Sequence, residues 1–204
     1  VLVGLLDDAP ARYRSPAETL RYLNMRLAPR LPDEMFATMF YGVVTDAGQL
    51  LYCNAGQEPP LVLKADGEAW LETGGPVIAL LPTASYDYGT IALSAGDTVI
   101  VCSDGVTEAR NVANEEFGQR RMLDAVRRLR GDRPETMLES LVAAVKEFSR
   151  NAPQADDITA STDKSVAMIK AVARRCRKAR TPSTSCPRGG AAKNCMCAIY
   201  PECI

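Results

Sequence analysis

Asp97-Thr98-Val99-Ile100-Val101-Cys102-Ser103-Asp104-Gly105-Val106-Thr107-Glu108-Ala109-Arg110-Asn111 is the stretch whose reading decides the rest of the chain. Thr98 to Cys102 is an unbroken β-branched and apolar run entered from a Ser94-Ala95-Gly96-Asp97 turn, which predicts a strand buried on both faces. Its end delivers Asp104, and Gly105 lets the backbone swing away, an arrangement suited to holding a hard metal ion or a phosphate-transfer group. A turn Asp-Gly that caps its own backbone is the competing reading.

Residues on either side change period. Upstream, Ser15-Pro16-Ala17-Glu18 supplies an N-cap, a proline at the first helical position and a capping-box glutamate, with Leu20, Leu23 and Leu27 on one face, so a helix is expected to end near Pro29. Met35 to Thr45 and Gln49 to Asn54 read as strands of an antiparallel hairpin turned by Asp46-Ala47-Gly48. Leu61 to Lys64, Ala69 to Glu72 and Tyr86 to Leu93 read as further strands. Downstream, Gln119 to Leu129 and Pro134 to Arg150 have helical spacing, the second with Met137, Leu138, Leu141, Val142, Val145 and Phe148 on one face. Strands early and helices late, joined by hairpins, predict an α+β fold with antiparallel sheets.

Composition narrows the chemistry. The 204 residues are 47% hydrophobic and 24% charged, enough for one globular core, with no apolar run long enough to span a bilayer, so a cytoplasmic protein is expected. There is no histidine, which excludes Ser-His-Asp and Cys-His catalysis and histidine-based zinc hydrolysis. Carboxylates must then carry any reaction. The net charge of −1 is uneven: residues 161–204 hold nine Lys or Arg against two Asp or Glu, leaving an acidic body that suits metal ions and argues against nucleic acid. Cys53 and Cys102 sit in apolar runs and read as core residues, whereas Cys176, Cys186, Cys195, Cys197 and Cys203 crowd the tail. A cysteine phosphatase would need an arginine where Glu108 stands relative to Cys102, and a haloacid-dehalogenase-type pair would need an aspartate at Cys102 or Val106.

A second carboxylate motif follows the last helix: Gln154-Ala155-Asp156-Asp157-Ile158-Thr159, a paired carboxylate at the mouth of an expected final strand, or an Asx-type turn. Taken with Met35-Phe36-Ala37-Thr38-Met39-Phe40-Tyr41-Gly42, Asn54-Ala55-Gly56-Gln57-Glu58-Pro59-Pro60, Gly74-Gly75-Pro76, Leu80-Leu81-Pro82, Ser103-Asp104-Gly105-Val106-Thr107-Glu108-Ala109 and Glu116-Phe117-Gly118, the order of blocks over about residues 15–160 resembles the SpoIIE/RsbU-type branch of the PPM metal-dependent serine/threonine phosphatases.

That resemblance implies an antiparallel β-sandwich flanked by helices, with two Mn²⁺ or Mg²⁺ ions and an in-line attack by metal-bound water on a phosphoserine or phosphothreonine. It places Asp104 and Asp156 as catalytic metal ligands on the same ion and leaves Asp157 in a supporting role. Gln57 stands where many relatives have histidine, in a loop outside the metal set. The implied partner is a phosphorylated regulatory protein of the anti-sigma-factor antagonist type, with an upstream sensor domain of the kind such phosphatases carry. The family's Gly-Gly-Asp and Asp-Val-Ser-Gly blocks, which bring the bridging aspartate, are not in the sequence. At most one well-held metal site, an open apolar sheet edge and little turnover are therefore expected of the chain alone; a degenerate fold used only for binding or signalling is the alternative. Residues 1–160 are expected to be the C-terminal part of the phosphatase domain. Residues 161–204, whose first members are too polar for a sheet interior, are expected to be a disordered or non-homologous extension, with a basic tail or zinc knuckle as the alternative.

Overall fold

The computed structural model describes residues 15–32, 35–150 and 152, together with the backbone of the strands Thr159–Lys164, Met168–Val172 and Cys195–Cys203. Chain contacts divide it into two compact units, residues 1–57, 71–93 and 181–204 in the first and residues 58–70 and 94–180 in the second.

The first unit begins with α1 (Pro16–Leu27), capped as the sequence predicts: the Ser15 hydroxyl accepts the Glu18 N–H at 3.2 Å. A short 3₁₀ turn (Ala28–Arg30) ends it. β1 (Met35–Val44) and β2 (Gln49–Ala55) form the expected hairpin, with Met39 opposite Ala55 and Val44 opposite Leu50. β5 (Gly74–Gly75) and β6 (Gly89–Ala92) both pair with β2, β6 antiparallel and the two-residue β5 parallel. Leu20, Leu23 and Leu27 of α1 are buried with Met39, Tyr41, Cys53, Ala55, Ile78 and Tyr86, so the helix is held by its apolar stripe. Gly74 must be glycine, because a β-carbon there would lie 1.7 Å from the Asn54 carbonyl oxygen.

The edge of β1 that β2 does not cover is paired. β10 (Cys195–Cys203) runs antiparallel to β1 from Met35↔Cys203 to Val43↔Cys195. Ala37 exchanges both of its backbone hydrogen bonds with Ile78, at 3.0 and 2.8 Å, and so is turned away from β10. Pro201, opposite Ala37, therefore occupies a non-hydrogen-bonded pair where its missing N–H costs no ladder bond. The outer position of β10 in the strand order β10-β1-β2-β5 is one in which proline is tolerated.

The second unit holds a sheet that is antiparallel throughout, built from β3 (Leu61–Lys64), β4 (Gly67–Trp70), β7 (Thr98–Cys102), β8 (Thr159–Lys164) and β9 (Met168–Val172) in the order β4-β3-β7-β8-β9. Every residue of β7 is buried, as its composition predicts. A one-turn helix α2 (Asp104–Thr107) follows, then α3 (Gly118–Arg127) and α4 (Pro134–Phe148). Leu61, Leu63, Ile100 and Cys102 from the strands pack with Val106, Met122, Val126, Met137, Leu138, Leu141 and Val145 from the helices. Arg130, just past α3, donates to the Ala65 and Gly67 carbonyls at 3.3 and 3.1 Å and lies 3.6 Å from Glu68, which also pairs with Arg127; this fastens the β3–β4 turn to the end of α3.

Two sequence expectations are corrected. β4 begins at Gly67 instead of Ala69, because Lys64 pairs with Gly67 and only Ala65 and Asp66 are left for the turn. The run after Thr159, expected to be too polar for a sheet interior, forms β8 between β7 and β9. A ladder uses main-chain donors and acceptors, and the buried strand β7 needs a partner along the edge that β3 does not cover, so side-chain polarity does not prevent the pairing.

Gly74→Ala should destabilise the protein by at least about 3 kcal/mol, the upper end for forced overpacking. Gly67→Ala, where nothing lies within 4 Å of the added carbon, should change stability by less than about 0.5 kcal/mol. Urea unfolding of the two variants measures both, and equal losses would contradict the register of β5 against β2.

Candidate phosphatase site

Asp104 is placed by the burial of β7. The strand leaves the core at Ser103, still extended at φ −77° and ψ 163°, and the chain then closes one helical turn. The Glu108 N–H donates to the Asp104 carbonyl at 2.7 Å, the Thr107 hydroxyl to the same oxygen at 3.3 Å, and the Val106 N–H to the Ser103 carbonyl at 3.1 Å. Val106 is fully buried and pins the turn to the core. Gly105 lies within this turn and is not among the glycines with positive φ, so the chain changes direction by becoming helical, without a left-handed glycine.

The self-capping reading of the Asp-Gly pair is seen on one carboxylate oxygen. Asp104 Oδ1 accepts the Gly105 N–H at 2.8 Å, the self-capping interaction. Oδ2 takes no hydrogen bond from a described residue, and Asp104 as a whole is half-buried.

The surroundings are negative. Glu58, half-buried just before Pro59 and Pro60, has its pKa raised, first by burial and further by the charges of Asp104 and Glu108. Hydrogen bonds from Gln119, whose Nε2 donates to Glu58 Oε1 at 3.0 Å, and from Thr107 oppose the shift. Three carboxylates thus feel one another in this unit, a field that attracts cations and repels phosphate. Among the described residues no three acidic or cysteine groups converge closely enough to hold a metal ion. Asp104 offers the hard oxygen that Mn²⁺ or Mg²⁺ requires, but one carboxylate is not a site. Asp156 and Asp157 lie outside the described residues.

Sequence reasoning gives Glu58 and Gln119 no role, although Glu58 stands in the Asn54-to-Pro60 block directly ahead of a buried strand. Gln57 is more than a loop residue: it is buried, its N–H donates to Asn54 Oδ1 at 2.8 Å, its carbonyl accepts from Asn54 Nδ2 at 2.8 Å, and its side chain accepts from the Thr38 hydroxyl at 3.1 Å. Cys53 and Cys102 are buried core thiols, as expected. Burial, reinforced by the Asp87 charge, pushes Cys53 up to about 12, and burial pushes Cys102 up as well, so neither is a thiolate nucleophile at neutral pH.

Because the folded state raises the Glu58 pKa, it binds more protons than the unfolded chain across the window just above the ordinary glutamate range, and stability falls as pH rises through it. Glu58→Gln should remove that loss, so its stability advantage over the parent should grow between mildly acidic and neutral pH. Chemical denaturation across that range checks the sign; a parent protein that gains relative to the variant as pH rises would contradict it.

The profile of the family described as Stage II sporulation protein E (SpoIIE) matches residues 1–162. Protein IcfG of Synechocystis sp. is 35% identical over 94 residues, covering 45% of this chain and 15% of that protein. Phosphoserine phosphatase RsbU of Bacillus subtilis is 31% identical over 108 residues, covering 52% of this chain and 32% of that protein. The chain therefore matches a third or less of the length of these relatives. Among solved structures, the SiaA-PP2C domain of Pseudomonas aeruginosa superposes with a TM-score of 0.67 at 21% identity, covering 83% of this chain and 67% of that one. The PP2C phosphatase domain of SpoIIE from Bacillus subtilis, solved with a fragment of its regulatory domain, gives 0.66 at 20% identity over 79% and 47%. With most of its length matched, the chain belongs to the SpoIIE family, and it has the α+β fold of PP2C-type phosphatase domains.

Proposed function

We propose that this chain is the C-terminal part of a metal-dependent phosphatase domain that hydrolyses phosphoserine or phosphothreonine on a regulatory protein of the anti-sigma-factor antagonist type, in the cytoplasm. In this reading residues 1–160 belong to the phosphatase domain and residues 161–204 are an appended segment. No described helix is long and apolar enough to cross a membrane. The observation that carries the proposal is the placement of Asp104 at the end of a wholly buried strand, on a turn that the core itself anchors.

The chemistry follows from the charges. A phosphomonoester dianion approaching Asp104 meets the fields of Glu58 and Glu108 as well and is repelled. Asp104 and Asp156 would hold Mn²⁺ or Mg²⁺, which supplies the positive charge that reverses this repulsion and makes a bound water more acidic. The chain's own contribution is to fix Asp104, whose Oδ1 accepts the Gly105 N–H. Gln119 and Thr107 orient Glu58 beside it. The second reading is a phosphatase fold that binds without turnover; among the described residues no group of three acidic or cysteine side chains could hold an ion.

Two measurements separate these readings. In isothermal titration with Mn²⁺, Asp104→Asn and Asp156→Asn should each weaken binding by more than about 100-fold, beyond the 10–100-fold typical of residues that only orient a ligand, and Asp157→Asn should have the smaller effect. In hydrolysis of p-nitrophenyl phosphate, the whole gene product should show Mn²⁺-dependent turnover that Asp104→Asn abolishes, and the 204-residue chain should show little. A whole gene product that binds Mn²⁺ and does not turn over supports the binding module instead.

A further inference from the structure

Glu58 stands just ahead of β3, and the two prolines after it limit how it arrives there. A residue that precedes proline is held extended, and Pro60 is buried at the mouth of the strand. β3 then pairs with β7 as Leu61↔Ile100, Val62↔Val99 and Leu63↔Thr98. Continued from Leu61 back to Glu58, the same antiparallel register runs from Ile100 on to Ser103, so Glu58 comes level with the exit of β7. The pairing of two buried strands therefore sets a carboxylate beside the turn that carries Asp104.

The hydrogen bonds agree with that placement. Gln119 Nε2, at the start of α3, donates to Glu58 Oε1 at 3.0 Å, and the Glu58 side chain is also hydrogen-bonded to Thr107, the last residue of α2. Thr107 is buried, and its hydroxyl lies 3.3 Å from the Asp104 carbonyl oxygen. A line of contacts thus runs from α3 through Glu58 and Thr107 to the main chain of Asp104. It meets a need of the turn: α2 is four residues long, and a single helical turn does not hold its shape by its own hydrogen bonds. Val106 roots that turn in the core, and Thr107, held by Glu58, fastens its end. Glu58, Asp104 and Glu108 do not form a cluster that could hold an ion, and the Glu58 carboxylate is engaged with Thr107 and Gln119 instead.

We propose that Glu58 is a positioning residue of the phosphatase site: through Thr107 it fixes the turn that presents Asp104 to Mn²⁺ or Mg²⁺. This rests on the phosphatase reading above. Thr107 has one hydroxyl proton to share between the Glu58 carboxylate and the Asp104 carbonyl. A glutamine at position 58 keeps both contacts, because its Oε1 accepts from Gln119 while its Nε2 donates to the Thr107 oxygen and leaves the hydroxyl proton to Asp104. Glu58→Gln therefore removes the charge and preserves the position, whereas Glu58→Ala removes both.

Isothermal titration of the whole gene product with Mn²⁺ reads the position of Asp104 without requiring turnover. Glu58→Ala and Thr107→Val should each weaken Mn²⁺ binding by at least about tenfold, the lower end for residues that orient a ligand. Glu58→Gln and Thr107→Ser should bind Mn²⁺ as the wild type does. The double variant, Glu58→Ala with Thr107→Val, should lose little more than either single one, because the two residues act along one path. A Glu58→Gln protein as weak as Glu58→Ala would show that the charge acts and not the position, and additive losses in the double variant would separate the two residues; either result overturns the proposal. So does a melting temperature, taken without metal, that falls in step with Mn²⁺ affinity across the variants, since Glu58 would then only stabilise the fold. If Glu58→Ala does not fold, Thr107→Val against Thr107→Ser decides, and equal Mn²⁺ affinity in that pair overturns the proposal. Wild-type affinity in Glu58→Ala and Thr107→Val, with Asp104→Asn weakened, would remove this proposal and leave the phosphatase reading standing. Unchanged Mn²⁺ binding in Asp104→Asn would overturn that reading itself.

Discussion

Burial of Thr98 to Cys102 along its whole length is the constraint on which the second unit depends. A strand with no solvated face cannot carry a charged group, so the first polar work is done at its exit, where Ser103 and Asp104 stand. Its backbone must also be paired along both edges, by β3 on one side and β8 on the other. The same strand therefore accounts for the position of the candidate site and for the recruitment of a polar segment into the sheet. Ile100 and Cys102 share a core with Met122 and Val106, so the turn bearing Asp104 is anchored in the core while Asp104 itself is only half-buried.

The first unit solves a different problem, that of fixing long loops between short strands. It does so with buried amides. Asn54 and Gln57 close the turn after β2 with reciprocal bonds, and Gly56 at its apex has φ +71°. Asn24 fixes the loop after β5 in the same manner. A buried amide left unpaired is costly, so each of these residues either finds all of its partners or disrupts the unit.

What was legible in the sequence follows the same division. The β7 strand, α3 and α4 were readable because a one-dimensional period reports which face is buried, and the period changes from about 2 to about 3.6 near Phe117. Asp104 was readable as the polar residue at the end of an apolar run. The Asn24 clamp was not, because its partners lie fifty-five or more residues away and an asparagine in a helix carries no sign of them. Nor was the cover over β1, since main-chain pairing leaves no mark in the residue types of Cys195–Cys203 beyond the placement of Pro201. The environment of Glu58 was hidden for a related reason: it is set by Asp104, Thr107, Glu108 and Gln119, which all lie far along the sequence from it.

The central claim is that Asp104 and Asp156 serve one ion, and the most direct measurement is anomalous diffraction at the manganese edge from crystals of the whole gene product grown with Mn²⁺. The account predicts a peak at about 2.1 Å from a carboxylate oxygen of Asp104, with Asp156 bound to the same ion. A peak held by other residues, or Asp156 found away from Asp104, would contradict it.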